Sequence, residues 1–260
     1  MIAQTTLPLL PSLFLFSMAV VAGMLNGIAG GGGLIGFPSL LLTGVPPLAA
    51  NATNTAALWF GTAASSFAYR QELSTQRREL LLLTGTSVLG GALGSYLLLH
   101  TSPVDFEQLV PYLLLIATLL FAVNEPIKKR FKGSNKPSSP MPITVILPLQ
   151  LAIAIYGGFF GGGGGILILA VLDMMGMKNV HAMNAFKSWL ATCLNAVALI
   201  HFMGANVIVW FPAILMAIGA SLGGYASAHF ARRLSQSWVR GFITCVGFAM
   251  TAYFFVKNLT

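Results

Sequence analysis

Charge is what this chain has least of. Only 8% of its 260 residues are Asp, Glu, Lys or Arg, where a soluble domain carries about 25%. With 56% hydrophobic residues and a mean hydropathy of +0.82, that scarcity excludes a water-soluble globular protein and places the chain in a lipid bilayer. Acidic residues are scarcer still, six in all. None lies deep in an apolar stretch, so no intramembrane carboxylate offers a proton or sodium site, and the coupling ion stays open. Cysteine is nearly absent: Cys193 and Cys245 lie inside apolar stretches and form no CxxC. That excludes a disulfide framework and a thiolate metal motif, and both read as small buried hydrophobes. There is no Walker A sequence, no HExxH and no Ser/His/Asp grouping, so an enzyme reading lacks a nucleophile or a metal set. Gly31-x-Gly33-x-x-Gly36 fits the letters of a dinucleotide fingerprint, but no βαβ pattern surrounds it and no acidic residue follows about 20 positions on. No cofactor is implied. The N-terminus lacks the basic region of a signal peptide, so the first apolar stretch is expected to remain in the protein.

Glycine is what the chain has in concentration. Gly30 to Gly33 and Gly161 to Gly165 each follow a long apolar stretch and precede a short one. A glycine inside a helix costs ~1 kcal/mol relative to alanine, so runs of this length should break it. In lipid, the freed N–H and C=O groups need protein or a water-filled cavity to receive them. Stretches long enough to cross ~30 Å of hydrocarbon fall near 7–29, 48–69, 80–99, 108–123, 143–160, 181–203, 206–230 and 239–256. The segments at 34–43 and 166–175 are too short for ordinary spans and read as half-helices. The Ser/Pro/Lys-rich stretch 124–142 is the one linker, dividing a first repeat (1–123) from a second (143–260).

The halves resemble each other in three collinear places. Gly27-Ile-Ala-Gly-Gly-Gly-Gly33 matches Gly158-Phe-Phe-Gly-Gly-Gly-Gly164, Ala52-Thr53-Asn54 matches Ala182-Met183-Asn184, and Gly90–Tyr96 matches Gly219–Tyr225. A duplication explains the constant order. The net charge of +8 does not indicate a nucleic-acid partner, because the basic residues sit in short loops and read as topology signals. Arg70, Arg77 and Arg78, then Lys128, Lys129, Arg130, Lys132 and Lys136, then Arg232, Arg233 and Arg240 mark three cytoplasmic loops. Each half then holds three crossings and one broken pair that returns to its starting side. The expectation is an all-α polytopic membrane protein of two inverted-topology repeats, both termini outside.

Inverted halves would bring the two breaks together near the midplane, with the short helices starting there. Helix N-termini carry unpaired N–H groups and about half a positive charge, a ready anion site, and glycine lets an oxyanion approach the main chain. Gly31, Gly32, Gly33, Gly163, Gly164 and Gly165 are the candidate main-chain donors. Asn26 precedes the first run. Asn51, Asn54 and Thr55 share a helix face, and Asn184, Lys187 and Asn195 belong to the second half. Lys187 is the basic residue within a span; at ~2.5–3.5 kcal/mol for insertion it is either paired and used or snorkels to the interface. His181 is a candidate proton carrier by its intrinsic pKa, whereas His100, His201 and His229 read as interfacial. Gly23/Gly27/Gly31, Gly90/Gly94 and Gly219/Gly223 have small-xxx-small spacing; the last two pairs are assigned to packing.

The long apolar segment, the glycine break, Pro38 in the short arm and the Ala/Thr/Asn-rich start of the next helix together resemble the TauE/SafE sulfite-exporter family, also called the toluene-sulfonate uptake permeases. The resemblance covers nearly the whole chain. Leu169 stands where the first half has Pro38, and Lys187 where it has Ala57. It implies a carrier of sulfite, sulfonates or related organosulfur anions in the bacterial inner membrane; the half-helix argument by itself implies only an anion. The leading expectation is therefore a secondary transporter working by alternating access. A passive anion channel is the alternative, followed by a membrane-embedded sulfur-group enzyme using Cys193 or Cys245. Proton coupling and oligomerisation are both left open.

Overall fold

The computed structural model describes residues 8–75, 77–132, 140–230 and 236–259. Ten α-helices run in the order α1 (Leu9–Ala29), α2 (Gly33–Leu42), α3 (Pro47–Ala68), α4 (Arg77–Leu99), α5 (Pro103–Lys132), α6 (Ile143–Phe160), α7 (Gly164–Met174), α8 (Val180–Gly204), α9 (Trp210–Phe230) and α10 (Gln236–Leu259), with one 3-10 turn at Arg70–Thr75. Among the described residues there is no strand. Among the described residues, six helical stretches are long and apolar enough to cross a membrane: Leu9–Ile28, Arg77–Leu99, Pro103–Leu120, Ile143–Phe160, Val180–Gly204 and Trp210–Ser227.

Local chemistry sets the boundaries. Pro47 opens α3 at the first helical position, where a missing N–H costs nothing. Asn179 caps α8 by accepting from the amides of His181 at 2.9 Å and Ala182 at 3.3 Å. The interval 100–107, which separates the apolar stretches near 80–99 and 108–123, is partly helix. Ser102 accepts from the Asp105 amide at 3.1 Å and donates to its carboxylate at 2.6 Å, a capping arrangement that starts α5 at Pro103. That helix also runs on to Lys132, through the first part of the stretch read as a linker. Glu125, Lys128, Lys129 and Arg130 are good helix formers, and Ser/Pro-rich composition begins only after them; 133–139 lie outside the described residues.

The helices of the two halves follow the same order, and they pack in exchanged pairs. α1 lies on α9 as α6 lies on α4, α3 on α9 as α8 on α4, while α3 meets α8 and α5 meets α10. The glycine pairs read as packing sites serve these contacts. Gly90 and Gly94 face Ile155 on α6, and Gly219 and Gly223 face Phe16 and Val20 on α1, letting backbones approach closely.

Polarity is distributed inside-out. Leu81, Leu89, Ile200, Ile214, Leu222 and Tyr225 are exposed, whereas Asn51, Thr53, Asn54, Thr55, Gln150, Asn184 and Lys187 are buried. An apolar exterior suits hydrocarbon, and the polar groups are drawn to the centre. α3 carries much of that polar set, which explains why its 22 residues fall short of the hydropathy of the six spans. It is enclosed by α8 and α9 rather than spread against lipid.

Candidate functional site

Each glycine run breaks its helix. α1 ends at Gly30, whose φ of +82° is the left-handed turn that glycine adopts without steric cost; its N–H returns to the carbonyls of Leu25 and Asn26, both at 3.1 Å. α6 ends at a second left-handed glycine, Gly161, with φ +68°. The new helices then begin at Gly33 and Gly164.

The two breaks touch. A Cβ placed on Gly30 would come within 2.5 Å of the Gly165 carbonyl carbon, one on Gly165 within 2.7 Å of Gly30 Cα, and one on Gly33 within 2.9 Å of the Gly161 carbonyl oxygen. Contacts that close exist only because no side chain stands between the strands of backbone. At the head of each short helix, the amides of Gly31, Gly32 and Gly33, and of Gly163, Gly164 and Gly165, donate to no acceptor among the described residues. The positive ends of α2 and α7 are therefore left without internal partners.

Beside this junction lies a cavity of about 30 Å³ for the centres of water-sized spheres, where one water needs roughly 10–15 Å³. Asn26, Asn54, Thr55 and Asn195 line it with Gly161, Gly164 and Gly165 of the second break. Leu58, Ile153, Gly157, Ile168, Ala191 and Leu194 complete the wall. Asn54 is only 1% exposed, and its side-chain oxygen has no hydrogen-bond partner. That oxygen is an acceptor lying against Gly36 of α2, and burying it unpaired costs ~1–3 kcal/mol; the part of the Asn54 amide that can serve an anion is its NH2 group.

Lys187 neither snorkels nor lines that cavity. It is 2% exposed, and its Nζ donates to the carbonyl oxygens of Asn26 and Gly27, each at 2.7 Å, and to Asn184 Oδ1 at 3.2 Å. The ammonium thus sits on the last turn of α1, immediately before the first break. No carboxylate is among its partners. Asn184, expected at the site, serves this lysine.

Asn51 is also placed differently from its neighbours on α3. Its Nδ2 donates to the Phe159 carbonyl at 2.9 Å, tying α3 to the end of α6, and its Oδ1 is left unpartnered. Gly31, Gly32, Gly33 and Gly163 are buried at the junction but do not form part of the cavity wall. His181 lies near Tyr69, ring centroids 6.3 Å apart, and is not part of that wall either. His201, read as interfacial, lies in the last turn of α8 and pairs with Ser95 of α4 at 2.8 Å.

Sequence reasoning missed several contributors. Tyr156 donates its hydroxyl to the Gly162 carbonyl at 3.0 Å, bracing the second break. Ser65 meets Ser188 at 3.1 Å and Ser227 at 3.5 Å, joining three helices. Single serines in apolar spans give no signal that could have paired them.

A family model described as sulfite exporter TauE/SafE matches residues 15–254. The chain is 28% identical over 240 residues to a probable membrane transporter protein of Haemophilus influenzae, covering 92% of each. It is 27% identical over 238 residues to one of Sinorhizobium, covering 91% of this chain and 89% of that protein. It is 26% identical over 244 residues to one of Escherichia coli K12, covering 92% of this chain and 87% of that protein. No solved structure matches the chain.

Proposed function

Because the chain belongs to the sulfite exporter TauE/SafE family, and is a membrane transporter rather than an enzyme, we propose that it carries a small sulfur-containing oxyanion, with sulfite and sulfonates as the substrate class. The anion docks in the cavity beside the joined breaks. Amides of Gly164 and Gly165 donate to its oxygens, Asn54, Thr55, Asn26 and Asn195 add hydrogen bonds, and Lys187 contributes charge through the wall at Asn26. Gly31, Gly32, Gly33 and Gly163 supply the rest of the positive main-chain surface, with Asn51 and Asn184 holding the parts in place.

One observation carries this reading: two half-helix starts with unpaired amides meet next to a buried ammonium that has no carboxylate. Such a centre has a surplus of positive charge in a medium of low dielectric constant, where charge–charge interactions are strong. An anion neutralises it.

Transport follows from the duplication. In this reading the halves 1–123 and 143–260 have opposite orientations across the bacterial inner membrane, joined by 124–142 on the cytoplasmic side with both termini periplasmic, as the Lys and Arg distribution favours. Because the halves exchange helices, the moving bodies are the α1–α3–α9 group and the α4–α6–α8 group, and rocking one against the other about the glycine contact exposes the cavity to each side in turn. Calorimetric titration of the purified chain with sulfite, thiosulfate, sulfonates and plain carboxylates tests the substrate class. Binding of the sulfur oxyanions supports it; binding of none of them, or of carboxylates alone, refutes it. Counterflow in proteoliposomes separates the carrier from the passive channel. A carrier exchanges labelled anion against unlabelled anion, whereas a channel shows conductance without exchange.

A further inference from the structure

The oxygens around Lys187 have a chemistry of their own. Two are carbonyls of the final turn of α1, Asn26 and Gly27 at 2.7 Å, and the third is the amide oxygen of Asn184 at 3.2 Å. Three acceptors around one nitrogen require three N–H donors, which an ammonium has and a neutral amine lacks. The break at Gly30 frees the Gly27 carbonyl, which an uninterrupted helix would pair with the amide of Gly31, here donating to nothing; the Asn26 carbonyl still accepts from the Gly30 amide at 3.1 Å and receives Lys187 on its second lone pair. The C-terminal end of a half-helix carries about half a negative charge. Such ends, with exposed carbonyls, are where transporters with broken helices coordinate monovalent cations.

The arrangement is also one-sided. The position corresponding to Lys187 in the first half is Ala57, and there the second break is braced by the Tyr156 hydroxyl instead. Among the described residues, a cation is supplied to the first break and none to the second.

We propose that the carbonyls of Asn26 and Gly27 with Asn184 Oδ1 form a monovalent-cation site which the chain fills with its own ammonium, Lys187 acting as a tethered cation in place of a dissolved one. Anion binding then needs no sodium or potassium at this break. The link to the anion rests on the transport reading above; the cation site itself rests on the three oxygens alone. It follows that Lys187→Ala empties the site and leaves a space shaped for a three-carbon primary ammonium.

The test is thermal melting of the purified full chain in chloride buffer with no anion substrate. Lys187→Ala should melt below wild type, and n-propylammonium chloride should recover about half of the loss or more in a saturable manner, because a ligand that binds only the folded state stabilises it. Tetramethylammonium chloride at equal ionic strength should not. Neither salt should move wild type. Lys187→Met keeps the apolar stem and removes the donors; it should also melt low but stay insensitive to propylammonium, and it decides the matter if the alanine variant does not fold. In parallel, wild-type sulfite affinity should be the same in sodium and choline chloride.

The proposal is overturned if Lys187→Met melts with wild type, if propylammonium does no more for Lys187→Ala than tetramethylammonium, or if wild-type affinity collapses without sodium. Because the melts contain no substrate, they read the cation site alone; a wild type that binds no sulfite in either salt defeats the anion reading and leaves the melts to stand separately.

Discussion

Adding one methyl group at Gly165 should cost this protein its anion affinity. Gly165 is the second residue of α7 and its φ is not positive, so in isolation alanine would favour the helix by up to ~1 kcal/mol. The surroundings reverse that gain. The new Cβ would lie 2.7 Å from Gly30 Cα and 3.0 Å from the Gly30 oxygen, where carbon atoms rest at about 3.5–4.0 Å. The obstacle is backbone, which cannot turn aside as a rotamer can, so the breaks must separate by most of an ångström. Overpacking of this kind costs roughly 1–3 kcal/mol, leaving a net loss of about 0–2 kcal/mol of stability once the propensity gain is subtracted. Binding should suffer more. Displacing an amide from a charged acceptor removes a hydrogen bond of ~1.5–3 kcal/mol, or roughly 10- to 150-fold in Kd. Gly164→Ala is the matched control for stability, since its Cβ would meet only Gly157 Cα at an ordinary 3.6 Å; it should melt like wild type while narrowing the cavity it lines. Thermal melting and sulfite calorimetry on the three proteins read both effects. A Gly165→Ala variant that melts and binds as wild type does would show that the breaks do not touch, and the reasoning would fail.

Other substitutions separate the roles of the remaining residues. Asn54→Asp places a carboxylate in the cavity wall and should weaken sulfite at least tenfold (~1.4 kcal/mol) at neutral pH, measured by calorimetry. Asn51→Ala removes the bond to the Phe159 carbonyl and should lower stability by ~1–3 kcal/mol in a melt, with a smaller effect on affinity than Asn54→Ala. Replacing Cys193 and Cys245 by alanine together should leave counterflow intact, because neither lines the cavity; loss of transport would revive a thiol mechanism.

The breaks were legible because four or five glycines in a row each cost ~1 kcal/mol in a helix, whereas the pairs Gly90–Gly91, Gly157–Gly158 and Gly223–Gly224 stay helical; Gly30 and Gly161 do end α1 and α6. The polar face of α3 was legible too: Asn54 and Thr55 stand four and three residues before Leu58, and all three line the cavity. What distance along the chain hides is the partner. Lys187 finds its acceptors 160 and 161 residues away, so its burial cost was visible while its compensation was not. Asn184, one turn before it, was assigned to substrate for the same reason, and Asn51 gave no hint that it would hold the Phe159 carbonyl. The end of α5 was placed too early because charge was taken as a boundary: five of the nine residues of Asn124–Lys132 are charged, yet they continue α5.

The central claim is that an oxyanion rests on the unpaired amides where the two breaks meet. Selenite, the heavier congener of sulfite, gives anomalous scattering that locates it directly in crystals of the purified chain. The account predicts a selenium peak in the cavity, within hydrogen-bonding distance of the Gly164 and Gly165 amides and the Asn54 side chain. Selenite bound elsewhere, with that cavity empty at concentrations that saturate binding in solution, would contradict it.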